Sequence, residues 1–185
     1  MPHDAPAAPA DAPLAPALPP VVVMGVSGSG KSTIGELLAE QSGVPFVDAD
    51  DLHPAANREK MAAGHPLDDD DRWPWLEIVA QRIRDAGDDG VVVACSALKR
   101  SYRDVLRGGD DRLRFVHLTG VRELVAERQK ARKGHFMPPG LMESQFAALE
   151  PLAGDEPGIG VDVSAGPAEI VAEVERRLAT RPGRV

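Results

Sequence analysis

The sequence predicts an α/β fold: a mainly parallel sheet of about five strands, covered by helices on both faces to give three layers. Three observations predict it. Short apolar runs of strand length alternate with longer stretches whose apolar residues recur at helical spacing. One run, Val91–Cys95, is continuously apolar, as a strand covered on both faces must be. The first run, Val21–Met24, passes directly into Gly25-Val26-Ser27-Gly28-Ser29-Gly30-Lys31-Ser32, a glycine-rich turn of the kind that joins a buried strand to a helix.

The elements follow in order. After the strand at 21–24, a helix is expected over 33–41, with Ile34, Leu37 and Leu38 on one face and Gly43 as its stop. Val44–Val47 is a short second strand leading to Asp48. A short helix over 54–63 closes at Gly64, and a longer amphipathic one over 75–86 closes at Gly87. Asp70 or Asp71 is the expected cap of that second helix, which would begin near Arg72. The strand at 91–95 is followed by a helix over 98–106 and a strand over 113–118. Helices over 121–133 and 139–149, a strand over 159–163 and a helix over 168–178 complete the chain, the last with Ile170, Val171, Val174 and Leu178 turned inward.

Composition narrows the function. The 185 residues suit one domain, and 43% hydrophobic content suffices for a single core. A net charge of −8 argues against nucleic acid as the main partner. One cysteine, Cys95, permits no intrachain disulfide, which fits a reducing compartment. No apolar run reaches the roughly 20 residues of a membrane span. Residues 1–20 hold seven Pro and seven Ala and no Lys or Arg, so they lack the basic start and unbroken apolar stretch of a secretory signal. The expectation is a disordered or polyproline-like tail over 1–20, one domain over 21–185, and a cytoplasmic protein.

In open parallel sheets, ligands sit beyond the carboxyl ends of the strands. That rule gathers Gly25–Ser32, Asp48–Asp51 and Cys95–Lys99 around one cleft. The first segment matches the phosphate-binding pattern G-x-x-x-x-G-K-[ST] without a break. Its glycines let successive backbone N–H groups point into one concavity. Gly25, Ser27, Gly28, Ser29, Gly30, Lys31, Ser32 and Thr33 are therefore the expected holders of a nucleotide triphosphate, with Lys31 on the β- and γ-phosphates and Ser32 on Mg²⁺. The strand at 91–95 ends without an acid, so Asp48 or Asp50 must stand near the metal. The other acid is free to orient or deprotonate an acceptor hydroxyl. Alternation along an extended segment would put both on one side. A GTPase needs the guanine-reading Asn-Lys-x-Asp element, but the only asparagine, Asn57, begins Asn57-Arg58-Glu59-Lys60. The residues themselves thus point to a P-loop kinase of a small molecule, with a non-catalytic nucleotide-binding module as the alternative.

Further blocks make the chain recognisable. Asp48-Ala49-Asp50-Asp51-Leu52-His53-Pro54 is followed by Asn57, Lys60-Met61, Asp69-Asp70-Asp71-Arg72 and Pro74-Trp75-Leu76. Then come Cys95-Ser96-Ala97-Leu98-Lys99, Tyr102-Arg103, Arg132-Lys133-Gly134-His135-Phe136 and Ser144-Gln145-Phe146. In one register from about Val21 to Val163, this set closely resembles the small P-loop gluconokinases. The resemblance implies a three-layer α/β/α P-loop kinase fold with a helical lid at about 122–140. It also implies transfer of the γ-phosphoryl group of ATP to the 6-hydroxyl of D-gluconate, and a homodimer. Arg128 and Arg132, four apart on one helix face, resemble the lid arginines that close over ATP in such kinases.

Lys31, Asp50, Arg128 and Arg132 are then the expected catalytic residues, with Asp50 on the acceptor hydroxyl and Asp48 with Ser32 on Mg²⁺. A polyol bearing a carboxylate needs several hydrogen-bonding groups and a cation. His53, Arg58, Arg72, Ser96 and Lys99 are the candidates, and the planar fork of Arg58 or Arg72 suits a carboxylate better than Lys99. Shikimate kinase is the nearest alternative of the same class, but its substrate-side arginine and glycine pattern is not evident.

Overall fold

The computed structural model describes residues 18–120 and 139–180. Five parallel strands form one sheet: β1 (Val21–Met24), β2 (Phe46–Asp48), β3 (Val92–Ala94), β4 (Arg114–Thr119) and β5 (Gly158–Asp162), in the spatial order β2-β3-β1-β4-β5. β1 is central because its four residues are fully buried apolar side chains that can face helices on both sides. Its register sets Val23 beside Ala94, and Ala94 beside Asp48, so the last residue of β2 is level with the end of β1, one strand away.

Alternation along β1 feeds two cores. Val21 and Val23 face α1 (Lys31–Ser42) and α6 (Pro167–Ala179), where they join Ile34, Leu38, Ile170, Val171 and Val174. Val22 and Met24 face α3 (Asp69–Ala86) and α4 (Arg100–Arg107), joining Trp75, Leu76, Val79, Ile83, Tyr102 and Leu106. Two shorter helices, α2 (Ala55–Ala62) and α5 (Pro139–Ala148), complete the helices of the described residues. The expected three layers are therefore present. The helix expected over 121–133 lies outside the described residues.

Three local expectations are corrected. The segment after β2 is not extended. Asp48 Oδ1 accepts from the Asp50 backbone N–H at 3.0 Å and starts a 3₁₀ turn over Ala49–Leu52, so strand alternation does not relate Asp48 to Asp50. α3 begins at Asp69 rather than near Arg72, and its cap is Asp68, not Asp70 or Asp71. Asp68 accepts from the Asp71 N–H while the Asp71 carboxylate accepts from the Asp68 N–H, a reciprocal capping box that fixes the start of the helix. Pro74 then lies inside the helix, where it has no N–H to give the carbonyl of Asp70 four residues earlier.

The end of the segment read as a tail joins the sheet. The Pro20 carbonyl accepts from Arg114 N–H at 2.9 Å, and Leu18 packs against the core beneath α1.

A buried ion pair locks the loop after β3. The Arg103 guanidinium is fully buried and binds both oxygens of fully buried Glu156. It also donates to the carbonyls of Ala97, Leu98 and Glu150 at 3.1–3.2 Å. These bonds hold Ala97 at a φ of +44°, a left-handed conformation that a residue with a Cβ rarely adopts. The strained turn sends the chain from Ser96 across the carboxyl edge of the sheet.

Candidate active site

The glycine-rich loop wraps the carboxyl end of β1. Gly25 has a φ of +145°, and a Cβ there would come within 2.9 Å of the Leu118 carbonyl. Gly30, at φ +96°, caps α1 and turns the loop into the helix whose first residue is Lys31. The positive end of α1 thus faces the concavity. Lys31 Nζ donates to the Val26 carbonyl at 3.1 Å, lying back across the loop. Ser29 is fully buried, and among the described residues its hydroxyl has no hydrogen-bond partner. Ser27, Gly28 and Lys31 are half-buried around the same turn, and Thr33 is exposed at the start of α1.

The acids lie beside this loop. Ser32 Oγ donates to Asp48 Oδ2 at 2.8 Å, bringing the last loop residue to the end of β2. Asp50 stands on the following 3₁₀ turn with 84% of its side chain accessible. The protein crowded around its carboxyl, followed by the negative charge of Asp48, raises its pKa above the ordinary value; Lys31 and His53 pull the other way. At that accessibility it is an acid on the wall of an open cleft rather than a buried one. His53 is buried, its Nε2 4.0 Å from Asp50 Oδ1. Burial lowers its pKa, against the opposing pull of Asp50.

The residues present fit a nucleotide and its metal. A left-handed glycine turn at a helix start, with a buried hydroxyl left unpartnered, has the chemistry of a phosphate cradle. A serine bonded to a single carboxylate matches a Mg²⁺ site that takes its remaining ligands from phosphate and water. Among the described residues, no group of three or more acids, histidines or cysteines offers a self-sufficient cation cage.

The shikimate kinase family model matches residues 27–148. The probable gluconokinase of Rattus norvegicus is 48% identical over 180 residues, covering 85% of this chain and 96% of the relative. The chain belongs to the gluconokinase family. The gluconokinase of Gluconobacter oxydans is 47% identical, with coverage of 85% and 90%. The crystal structure of a gluconokinase from Sinorhizobium meliloti is 49% identical, with a TM-score of 0.81 over 88% of this chain and 93% of that one. Gluconokinase membership makes the chain a P-loop kinase, an enzyme that uses ATP on a small molecule.

The remaining residues expected in a gluconokinase site occupy different settings. Ser96 is half-buried at the end of β3, where its carbonyl accepts from Gly25 N–H at 3.3 Å. Lys99 Nζ lies 2.8 Å from both oxygens of Asp69, which also accepts from the Tyr102 hydroxyl. Arg72, whose Cζ is 5.8 Å from the centre of the Tyr102 ring, reaches the Leu67 carbonyl at 3.3 Å. Arg58 is exposed on α2. Arg128 and Arg132 fall outside the described residues. Cys95 is fully buried, its thiol pushed up to about 12, which removes it from nucleophilic chemistry.

Sequence reasoning missed two contributions. Gln145 of α5 accepts from Ser27 N–H at 2.6 Å, and Phe146 and Leu149 pack on Val26 and Leu98, so α5 is seated on the loop. Nothing in the spacing of Ser144-Gln145-Phe146 indicates this. Ala165, Pro167 and Ile170 wall a cavity of about 280 Å³ together with Gly28, Ser29, Gly30, Thr33 and Ile34. Applying the strand-end rule to β5 would have found that wall.

Proposed function

We propose that this chain transfers the γ-phosphoryl group of ATP to the 6-hydroxyl of D-gluconate, giving 6-phospho-D-gluconate and ADP. The observation that carries this reading is the Ser32–Asp48 bond, with Asp50 and His53 on the very next turn. The residues assigned to phosphate, to metal and to the acceptor hydroxyl lie at one sheet edge, which supports this reading.

The triphosphate is assigned to the backbone of Gly25–Ser32, to Lys31 and to Thr33, and the nucleoside to the cavity walled by Ala165, Pro167 and Ile170. Ser32 and Asp48 would hold Mg²⁺, which neutralises charge on the β- and γ-phosphate oxygens. In the transfer, the acceptor oxygen forms a bond to the γ-phosphorus as the bond to the bridging oxygen breaks. The electron pair leaves with ADP, and the hydroxyl proton passes to Asp50. Lys31 stabilises charge on the transferring group. Arg128 and Arg132 are assigned to the same task, and His53, Arg58, Arg72, Ser96 and Lys99 to the polyol and its carboxylate.

A homodimer and a cytoplasmic location belong to the same reading, to be measured by light scattering and by fractionation. No helix among the described residues is long and apolar enough to cross a membrane. The function is tested by a coupled ADP-release assay with Mg·ATP, screening gluconate against shikimate, glucose, ribose and nucleoside monophosphates. Turnover confined to gluconate is the expected result. Turnover with a different acceptor alone rejects gluconate and leaves the kinase.

A further inference from the structure

We propose that Asn57 fixes His53 as its Nε2–H tautomer and so presents an N–H donor beside the Asp50 carboxylate, where the two converge on one hydroxyl of the acceptor. This rests on the reading of Asp50 as the group that faces the acceptor.

Asn57 is buried on α2. One of its amide groups is 2.8 Å from the Asp71 carbonyl. A carbonyl only accepts, so that group must be the NH₂, and the orientation of the amide is decided. The same nitrogen lies 3.3 Å from His53 Nδ1, to which its second hydrogen is available. Nδ1 therefore accepts. A neutral imidazole that accepts at Nδ1 carries its hydrogen on Nε2, the nitrogen 4.0 Å from Asp50 Oδ1.

Alternatives are blocked on each side. A hydrogen on Nδ1 would face the Asn57 NH₂, donor against donor. Flipping the amide to relieve this would set its oxygen against the Asp71 carbonyl. The Asp71 backbone does not yield, since it lies in the first turn of α3, held by the capping box with Asp68 and by Lys60 Nζ on both carboxylates. The ring itself cannot swing away: it stacks on Trp75 at 4.2 Å and 15°. The Trp75 indole N–H donates to the Ala49 carbonyl at 2.7 Å, so one platform holds both the ring and the turn that bears Asp50. The charged groups facing the ring are Asp50, Arg72 of α3 and Arg58 of α2, and both arginines oppose a positive imidazole.

The 4.0 Å gap is too long for a direct hydrogen bond. It is the right span for one hydroxyl oxygen that accepts from Nε2–H and gives its proton to Asp50. His53 then touches the substrate, and Asn57 is a positioning residue acting through it.

The test is a long-range ¹H–¹⁵N spectrum of the histidine side chains in the full chain near neutral pH, with His53→Gln used to assign the signal. The expected result is the Nε2–H pattern in the parent protein and its loss in Asn57→Asp, where a carboxylate would draw a hydrogen onto Nδ1. In the kinase assay, His53→Gln sets an amide at the reach of Nε2 and His53→Asn at the reach of Nδ1. Both variants lose the stacking on Trp75, and the Asn variant should lose about two- to tenfold more of kcat than the Gln variant, the worth of one neutral N–H donor. An Nδ1–H or doubly protonated ring in the parent protein overturns the proposal, as do equal kcat losses in the two variants. Failure of the parent protein to turn over gluconate would reject the gluconate reading instead. The spectrum, which needs no acceptor, would still decide for or against Asn57.

Discussion

Ser32 Oγ and Asp48 Oδ2 are joined across 2.8 Å, so the end of the phosphate loop and the end of β2 form one unit. The other Asp48 oxygen is taken by the N–H of Asp50. A single carboxylate thus orients the hydroxyl assigned to the metal and shapes the turn assigned to the acceptor.

Asp48→Asn and Asp50→Asn should therefore fail differently. The first should raise the Mg²⁺ concentration giving half-maximal rate by about ten- to a hundredfold, as removal of a metal-orienting group does. The second should lower kcat by at least about a hundredfold, with little change in nucleotide affinity. Initial rates over a grid of Mg²⁺ and ATP separate them. The reverse pattern would exchange the two roles.

Lys31→Ala should reduce kcat by at least about a hundredfold while the melting temperature stays near that of the parent. Lys31 is half-buried at the start of α1, its ammonium on a loop carbonyl rather than in either core. Scanning calorimetry beside the kinase assay checks both halves. A large fall in melting temperature would show that the lysine holds the loop together.

Much of this was legible before the structure. β1 runs over the four residues expected, because a continuous apolar run followed by a glycine turn admits few readings. The start of α3 is not legible in the sequence because Asp68–Asp71 offers four capping side chains in succession, and only the geometry of the Asp68–Asp71 pair selects among them. The relation of Asp48 to Asp50 is hidden for a similar reason: D-x-D satisfies strand alternation and an aspartate-capped turn equally well. The roles of Asn57 and Gln145 depend on contacts between elements far apart in sequence, which periodicity does not encode.

Gln145→Glu should raise the KM for ATP by about tenfold or more, since it would put a carboxylate at the edge of the anion cradle. Gln145→Leu keeps the size but removes the hydrogen bond from the Ser27 N–H, and should cost about 1 kcal/mol of stability, the net worth of one such bond. Initial-rate kinetics and urea denaturation measure the two effects. An unchanged KM in the Glu variant would place the triphosphate away from Ser27.

Glu156→Gln should cost about 3–5 kcal/mol, because it leaves the Arg103 guanidinium buried without its counter-charge. The sign of the pH dependence follows from the same pair. Hydrogen bonding from Arg103 lowers the Glu156 pKa in the folded state, against the opposing effect of burial. The stabilisation is therefore present above the ordinary glutamate range and lost as pH falls through the lowered value. Urea midpoints measured from neutral to acid pH should fall for the parent protein, and should fall less steeply for the Gln variant. Parallel pH curves would reject the assignment.

The proposed placement of the nucleoside in the cavity at the start of α1 bears on the choice of phosphoryl donor. Its described walls are aliphatic carbon, loop backbone and the hydroxyls of Ser29 and Thr33, with no amide or charged side chain among them to read the edge of a base. A wall of that kind grips by shape and grades its ligands by fit, whereas a wall of paired donors and acceptors rejects a mismatched base outright. On the proposed placement of the nucleoside in this cavity, the described side chains offer a base no amide or charge, and inosine and guanosine triphosphates should compete with adenosine triphosphate in initial-rate inhibition.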